Sequence, residues 1–350
     1  MVHSLELATA SSSLGKPQGG HCIEAILQAA AGHGIKGIEI CYEALLQHAT
    51  RNAVPLDEPE ELALIQAAED VKKQCDALDL VVIVLQPFHS YEGLLDKEAH
   101  QHAIRKWSHW LVLAHTLGCD IVQMPSNFML SGTTGNFGRV VADLVEIAEL
   151  ALCASPPVRI AYESVAWGTH CDSWEQSWDI VKAVDRPNFG LCLDTFHIAG
   201  RVWGDPSVPG GMIPDADAKL AASLSRLVRD VDPNKVFYVQ LSDAEKLSDP
   251  LVAGHPLYVE GQPCRMTWSR AARLFPCEEH LGGYLPVLSV VRAIVNELGY
   301  RGWISMETFS RHLWQSDSSV PSHYANRAEL SYKTVWEKLG WGELLEATGA

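Results

Sequence analysis

The sequence predicts an α/β fold, a closed TIM or (β/α)8 barrel, and three observations predict it. Short apolar or β-branched runs alternate eight times with longer stretches of helical period, which is the pattern of βα units and a parallel sheet. Most of the short runs are almost continuously apolar, as strands covered on both faces require. Polar and acidic side chains collect just after the strands, where a barrel builds its site. A doubly wound open sheet shares the alternation, but eight units and polar strand ends favour closure.

The first strand is expected at residues 5–9. The helix after it closes on Gly32-His33-Gly34-Ile35-Lys36-Gly37, a match to GxGxxG. That fingerprint binds dinucleotides only when it follows a strand and opens a helix, so here the glycines read as a helix C-cap leading into the second strand, Gly37–Cys41. Asp57, Glu58 and Pro59 start a further helix, with acids at its positive end and proline in its first turn. The third strand is Val81–Gln86. Ile104, Trp107, Leu111 and Ala114 then share one face of a helix, on which His100, His102 and His109 read as solvated rather than as ligands.

The fourth strand, Ile121–Pro125, precedes Gly132, Gly135 and Gly138, a glycine-rich stretch with no Lys-Ser/Thr after it, read as a mobile loop rather than a phosphate cradle. Strands five to eight are Arg159–Glu163, Phe189–Asp194, Val236–Leu241 and residues 303–307. Two connections are long, 199–214 and 242–283, and long βα loops of a barrel are where function concentrates. No composition break marks a linker, so one domain is expected over residues 1–350.

The charge narrows the partners. Lys+Arg 27 against Asp+Glu 43 leaves −16, the wrong sign for a phosphate backbone, which needs clustered cations. Nine scattered cysteines, at 22, 41, 75, 119, 153, 171, 192, 264 and 277, form no CxxC pair and read as buried thiols in a reducing compartment. No signal peptide is expected in residues 1–14 and no run of ~18 apolar residues spans a bilayer, so a cytoplasmic protein with no membrane partner is expected. HExxH and GxSxG motifs are absent.

Four consecutive strands end in an oxygen-bearing side chain: Glu163 in Ile-Ala-Tyr-Glu, Asp194 in Leu-Cys-Leu-Asp, Gln240 in Tyr-Val-Gln-Leu and Glu307 in Ser-Met-Glu-Thr. Taken singly, each acid reads equally well as a helix cap or an ion pair. In a closed barrel their ends converge, and carboxylates that meet there repel unless a cation neutralises them. Oxygen ligands with one amide suit Mg²⁺ or Mn²⁺. Glu39 in the second strand is a fifth candidate, or the partner of an Arg or Lys. His197 follows Asp194 by one short turn, which suits a proton carrier, the alternative being a buried His satisfied by backbone.

These residues, Tyr162-Glu163, Leu193-Asp194-Thr195-Phe196-His197, Gln240-Leu241-Ser242-Asp243 and Met306-Glu307-Thr308-Phe309, resemble the xylose isomerase-like barrel superfamily over most of the chain. More narrowly, Leu85-Gln86-Pro87-Phe88 with Tyr91-Glu92-Gly93, Ala166-Trp167-Gly168, Met266-Thr267-Trp268-Ser269-Arg270 and Arg273-Leu274-Phe275-Pro276 resemble the 3-dehydroshikimate dehydratases of quinate catabolism. The resemblance implies one divalent ion, Mg²⁺ or Mn²⁺ with Co²⁺ as another candidate, held by Glu163, Asp194, Gln240 and Glu307. It also implies His197 as base and, by returning its proton, acid; Arg270 on the substrate carboxylate; and Gln86 and Glu92 near the substrate. His89-Ser90 stands where relatives often carry Arg, which makes His89 a substrate-side candidate. The implied reaction eliminates water from 3-dehydroshikimate to give protocatechuate. A sugar isomerase or epimerase of the same superfamily shares the ligands. The charge of −16 and the lack of a fuller His set disfavour an apurinic-site endonuclease, and a non-enzymatic sugar-binding module is the reading from another class. Oligomeric state is not legible in the sequence.

Overall fold

The computed structural model describes residues 5–52 and 60–348. The helix start expected at Asp57, Glu58 and Pro59 lies outside the described residues. Eight parallel strands close into a barrel: β1 (Glu6–Ala10), β2 (Gly37–Cys41), β3 (Val81–Gln86), β4 (Ile121–Pro125), β5 (Arg159–Glu163), β6 (Phe189–Asp194), β7 (Val236–Leu241) and β8 (Trp303–Met306). β8 pairs with both β7 and β1, which leaves no free edge.

Two apolar layers follow from the alternation of side chains along each strand. The larger lies between the sheet and the surrounding helices and holds Ile38, Leu85, Met124, Leu193 and Val239 with Trp107, Trp110 and Trp268. The smaller is a plug of Ala8, Ile83, Ile121, Ala161, Cys192 and Tyr238. Two residues further along four of those strands, on the same face, stand Gln123, Glu163, Asp194 and Gln240. One step of the pleat, roughly 6–7 Å, carries the interior from apolar to polar.

The glycine hexapeptide behaves as a cap. Helix Ile23–Gly32 ends before Gly34 at φ +70°, and β2 opens at Gly37, where a Cβ would fall 2.9 Å from the Ala8 side chain and 2.8 Å from the Trp303 ring. His100 and His109 lie on helix Lys97–Leu117 and pair with Glu146 at 2.7 Å and Glu61 at 2.8 Å. Gly138 belongs to helix Phe137–Leu152 rather than to the glycine-rich loop, because Asn136 caps that helix by accepting from Arg139 N at 3.0 Å.

Both long connections carry more structure than their composition suggests. Residues 199–202 are the end of helix Thr195–Val202, capped by Asp194 through Phe196 N at 2.6 Å. The 242–283 connection folds back as a hairpin of Asp243–Ala244 with Arg273–Leu274, separated by helix Cys264–Ala272. Buried Asp243 staples it by accepting from Leu285 N at 2.9 Å and Tyr284 N at 3.2 Å. The Ala244–Arg273 pairing delivers Arg273 to the barrel mouth. No helix among the described residues is long and apolar enough to cross a membrane.

Candidate active site

Asp194 and Gln240 are paired in register on β6 and β7, and Glu163 stands across from Pro125 at the end of β5. Glu307 sits one residue past β8, its N–H still donating to Leu241 O at 3.0 Å. All four side chains are buried. Oxygens of Glu163 and Asp194 and a nitrogen of His197 lie within 4.8 Å of one another, so His197 joins the set able to hold a metal rather than standing beyond it. Its Nε2 is 3.6 Å from Asp194 Oδ2 and 3.8 Å from Glu163 Oε1. Gln240 turns its amide nitrogen to Glu307 Oε1 at 2.9 Å.

Arg273 is the cation among them. It is fully buried, donates from Nη1 to Asp194 Oδ2 at 2.5 Å and to Glu307 Oε2 at 2.8 Å, and lies over the rings of Phe196 and Phe309. With all three carboxylates ionised, the one guanidinium, paired with Asp194 and Glu307, leaves two negative charges unbalanced. Burial raises Glu163 well above the carboxylate range, aided by the charges of Asp194 and Glu307; burial also raises Asp194 and Glu307. A divalent cation supplies the missing charge, and oxygen donors with one imidazole suit a hard ion such as Mg²⁺ or Mn²⁺. The residues present fit it.

His197 is held on both sides. Ala166 N–H donates to Nδ1 at 3.0 Å, Arg273 Nη2 lies 2.9 Å from Nε2, and Trp167 packs edge-on at 5.0 Å. Gly168 makes that loop possible, since a Cβ there would fall 1.9 Å from Cys171 O. Burial, then the Arg273 charge, push His197 well below the usual imidazole range, so the ring is neutral. A neutral ring has one lone pair. The backbone donor cannot turn away and holds it at Nδ1, so the ring proton stays on Nε2 and the Arg273 N–H facing it turns aside.

Above the carboxylates opens a cavity of about 580 Å³, walled by Phe128, Trp167 and Phe309. Gln86, His89 and Arg270 all line it, with Lys16 on a further side. Arg270 is exposed at the rim, where its Nη1 donates to Gln262 Oε1 at 3.4 Å.

A family model described as xylose isomerase-like TIM barrel matches residues 27–332. The chain belongs to that family. Within this barrel family it is 44% identical over 338 residues to a Neurospora crassa protein named 3-dehydroshikimate dehydratase, covering 95% of this chain and 93% of the relative. A Pseudomonas aeruginosa protein of the same name is 32% identical over 287 residues, which is 81% of this chain and 36% of the bacterial one, so the chain spans about a third of that relative's length. The fold is shared with a xylose isomerase-like TIM barrel/4-hydroxyphenylpyruvate dioxygenase fusion protein at TM-score 0.72 and 24% identity, over 99% of this chain and 45% of that one.

In this barrel Glu92 does not face the substrate cavity. It accepts from Tyr162 Oη at 3.0 Å and from Asn127 N, and lines a separate cavity of about 150 Å³. Tyr162 precedes Glu163 and so points outward, which takes Glu92 with it. Burial pushes Glu92 up to about 7, with no cation paired to it among the described residues. Its folded pKa stands above the ordinary 4.5, so the stability linked to it is complete below 4.5 and is lost as pH rises to about 7. A Glu92→Gln protein is expected to lose less stability across that interval, by on the order of 3 kcal/mol in urea titrations; an unchanged slope would contradict this placement.

Sequence reasoning missed two residues. Gln123 donates to Glu163 from β4, and its signal was the one that found Gln240, an amide inside an apolar strand. Arg273 stood in the quoted Arg-Leu-Phe-Pro run without a role, because only the hairpin shows where it goes.

Proposed function

We propose that the chain is a metal-dependent 3-dehydroshikimate dehydratase, removing water from 3-dehydroshikimate to give protocatechuate. The observation that carries this is near-full-length similarity to the fungal dehydratase, supported by three carboxylates and an imidazole gathered beneath a cation-lined cavity. A divalent ion held by Glu163, Asp194, Gln240 and Glu307 would supply Lewis-acid polarisation of the substrate ketone.

The chain's own groups do the rest. Arg270 at the rim pairs with the substrate carboxylate, and the aromatic walls hold the ring flat and exclude water. His197 enters with its proton on Nε2 and gives it to the departing β-hydroxyl, which leaves as water. Glu163 divides its two oxygens: one would serve the ion, and Oε1, which faces His197, takes the proton from the carbon beside the ketone. Glu163 Oε1 and His197 Nε2 are 3.8 Å apart, so a small rotation returns that proton to the imidazole; a proton then moves from the remaining ring methylene to the ketone oxygen, which completes the aromatic diol. This departs from the expectation that His197 is the first base, because Ala166 N–H occupies its Nδ1.

Arg270→Ala is expected to raise KM roughly 10- to 100-fold with kcat little changed, since a charge-assisted hydrogen bond contributes about 1.5–3 kcal/mol. A carboxylate clamp favours this reading over a neutral sugar as substrate. The test is ultraviolet absorbance of the purified protein with 3-dehydroshikimate after chelation and after Mg²⁺ or Mn²⁺ is restored. An aromatic product that needs the metal is expected; no product with either ion would overturn the assignment.

A further inference from the structure

Glu39 stands on β2 in the barrel interior and is completely buried, yet no cation contacts it among the described residues. It is neither a fifth member of the ligand cluster nor the partner of an Arg or Lys. Four side chains donate to it instead: Gln86 Nε2 at 2.7 Å, Tyr238 Oη at 3.0 Å, Gln240 Nε2 at 3.1 Å, and Ser305 Oγ. A group that accepts from every neighbour decides how each of them is turned. Gln240 is the one for which this has a chemical consequence, because a primary amide has a donor end and an acceptor end of nearly the same shape.

With Nε2 held by Glu39 and by Glu307, Gln240 Oε1 faces the opposite way. There the Cys192 thiol donates to it at 3.3 Å, and the same sulfur is 4.0 Å from Glu163 Oε1. The carbonyl oxygen therefore shares the Cys192 sulfur with Glu163, whereas the –NH2 end, which cannot bind a cation, is tied down. We infer that Glu39 is a positioning residue that locks the Gln240 amide with its carbonyl towards the metal ligands, so that the seventh strand contributes an oxygen rather than an N–H. The chain can use a neutral amide there because a buried acceptor lies beneath it.

This rests on Gln240 being a ligand, which is tested separately by the Mn²⁺ affinity of Gln240→Ala, expected to fall. The inference itself is tested by Mn²⁺ calorimetry of Glu39→Gln in two backgrounds. In the wild type, Glu39→Gln replaces one of the two acceptor oxygens by an –NH2 donor, so that four donors compete for one oxygen, and affinity is expected to fall roughly 10- to 100-fold, as for other partners that orient ligands. In a Gln240→Glu background the ligand is symmetric and has no wrong end, so the same substitution costs nothing. An equal loss in both backgrounds would assign Glu39 a purely electrostatic role, and no loss in the wild type would remove it altogether; either overturns the inference. Circular dichroism of the metal-free variants checks folding. If Glu39→Gln does not fold, Glu39→Asp, which keeps the acceptor but withdraws it by one methylene, is read the same way, with a smaller loss expected in the wild type and none beside Gln240→Glu.

Discussion

An Asp194→Asn protein folds as the wild type does and loses about 10³-fold or more in turnover, because Lewis-acid stabilisation contributes several kcal/mol and each 1.4 kcal/mol is a factor of ten. Asp194 has two roles that this substitution separates. Its Oδ1 caps helix Thr195–Val202 through Phe196 N, and asparagine caps as well as aspartate does. Its Oδ2 faces Arg273 and His197, where an asparagine that caps through Oδ1 presents –NH2, which cannot bind a cation. The metal-free variant should therefore melt close to the wild type while Mn²⁺ affinity and kcat fall together. A variant that binds Mn²⁺ as the wild type does would remove Asp194 from the ligand set.

His197→Ala is expected to lower kcat by ~10²–10⁴ while Mn²⁺ affinity changes by only a few-fold. The one lone pair of the ring is committed at Nδ1 to Ala166 N–H, which is why a catalytic and not a ligand role is expected. Nε2 lies as close to the Asp194 and Glu163 oxygens as a ligand would, and calorimetry beside steady-state kinetics decides between the roles. A drop in affinity matching the drop in kcat would make His197 a ligand. Unchanged turnover would take it out of the mechanism.

The barrel was legible because its strands are nearly unbroken apolar runs bounded by turn residues, and a run buried on both faces has little freedom in where it starts. Only the ends moved: β1 is one residue later than expected, and β8 stops at Met306 with Glu307 just beyond. The carboxylates were legible because an acid closing an apolar strand is conspicuous, and strand order brings neighbours together. What escaped depends on contacts distant in sequence. Arg273 reaches Asp194 through a hairpin whose strands are some 30 residues apart, which no local period encodes. Glu92 is close in sequence to Gln86 and His89, but its place follows from Tyr162 pointing outward from β5. The helix at Thr195–Val202 was hidden because the same residues carry the Asp-Thr-Phe-His motif.

The central claim is that Glu163, Asp194, Gln240 and Glu307 converge on one divalent ion. It is tested most directly by diffraction from Mn²⁺-soaked crystals, recorded where manganese scatters anomalously. The expected map has a single strong peak per chain at coordinating distance from these four side chains, with the Arg273 guanidinium drawn off Asp194. A map with no peak there, or with its strongest peak elsewhere on the chain, would contradict the account.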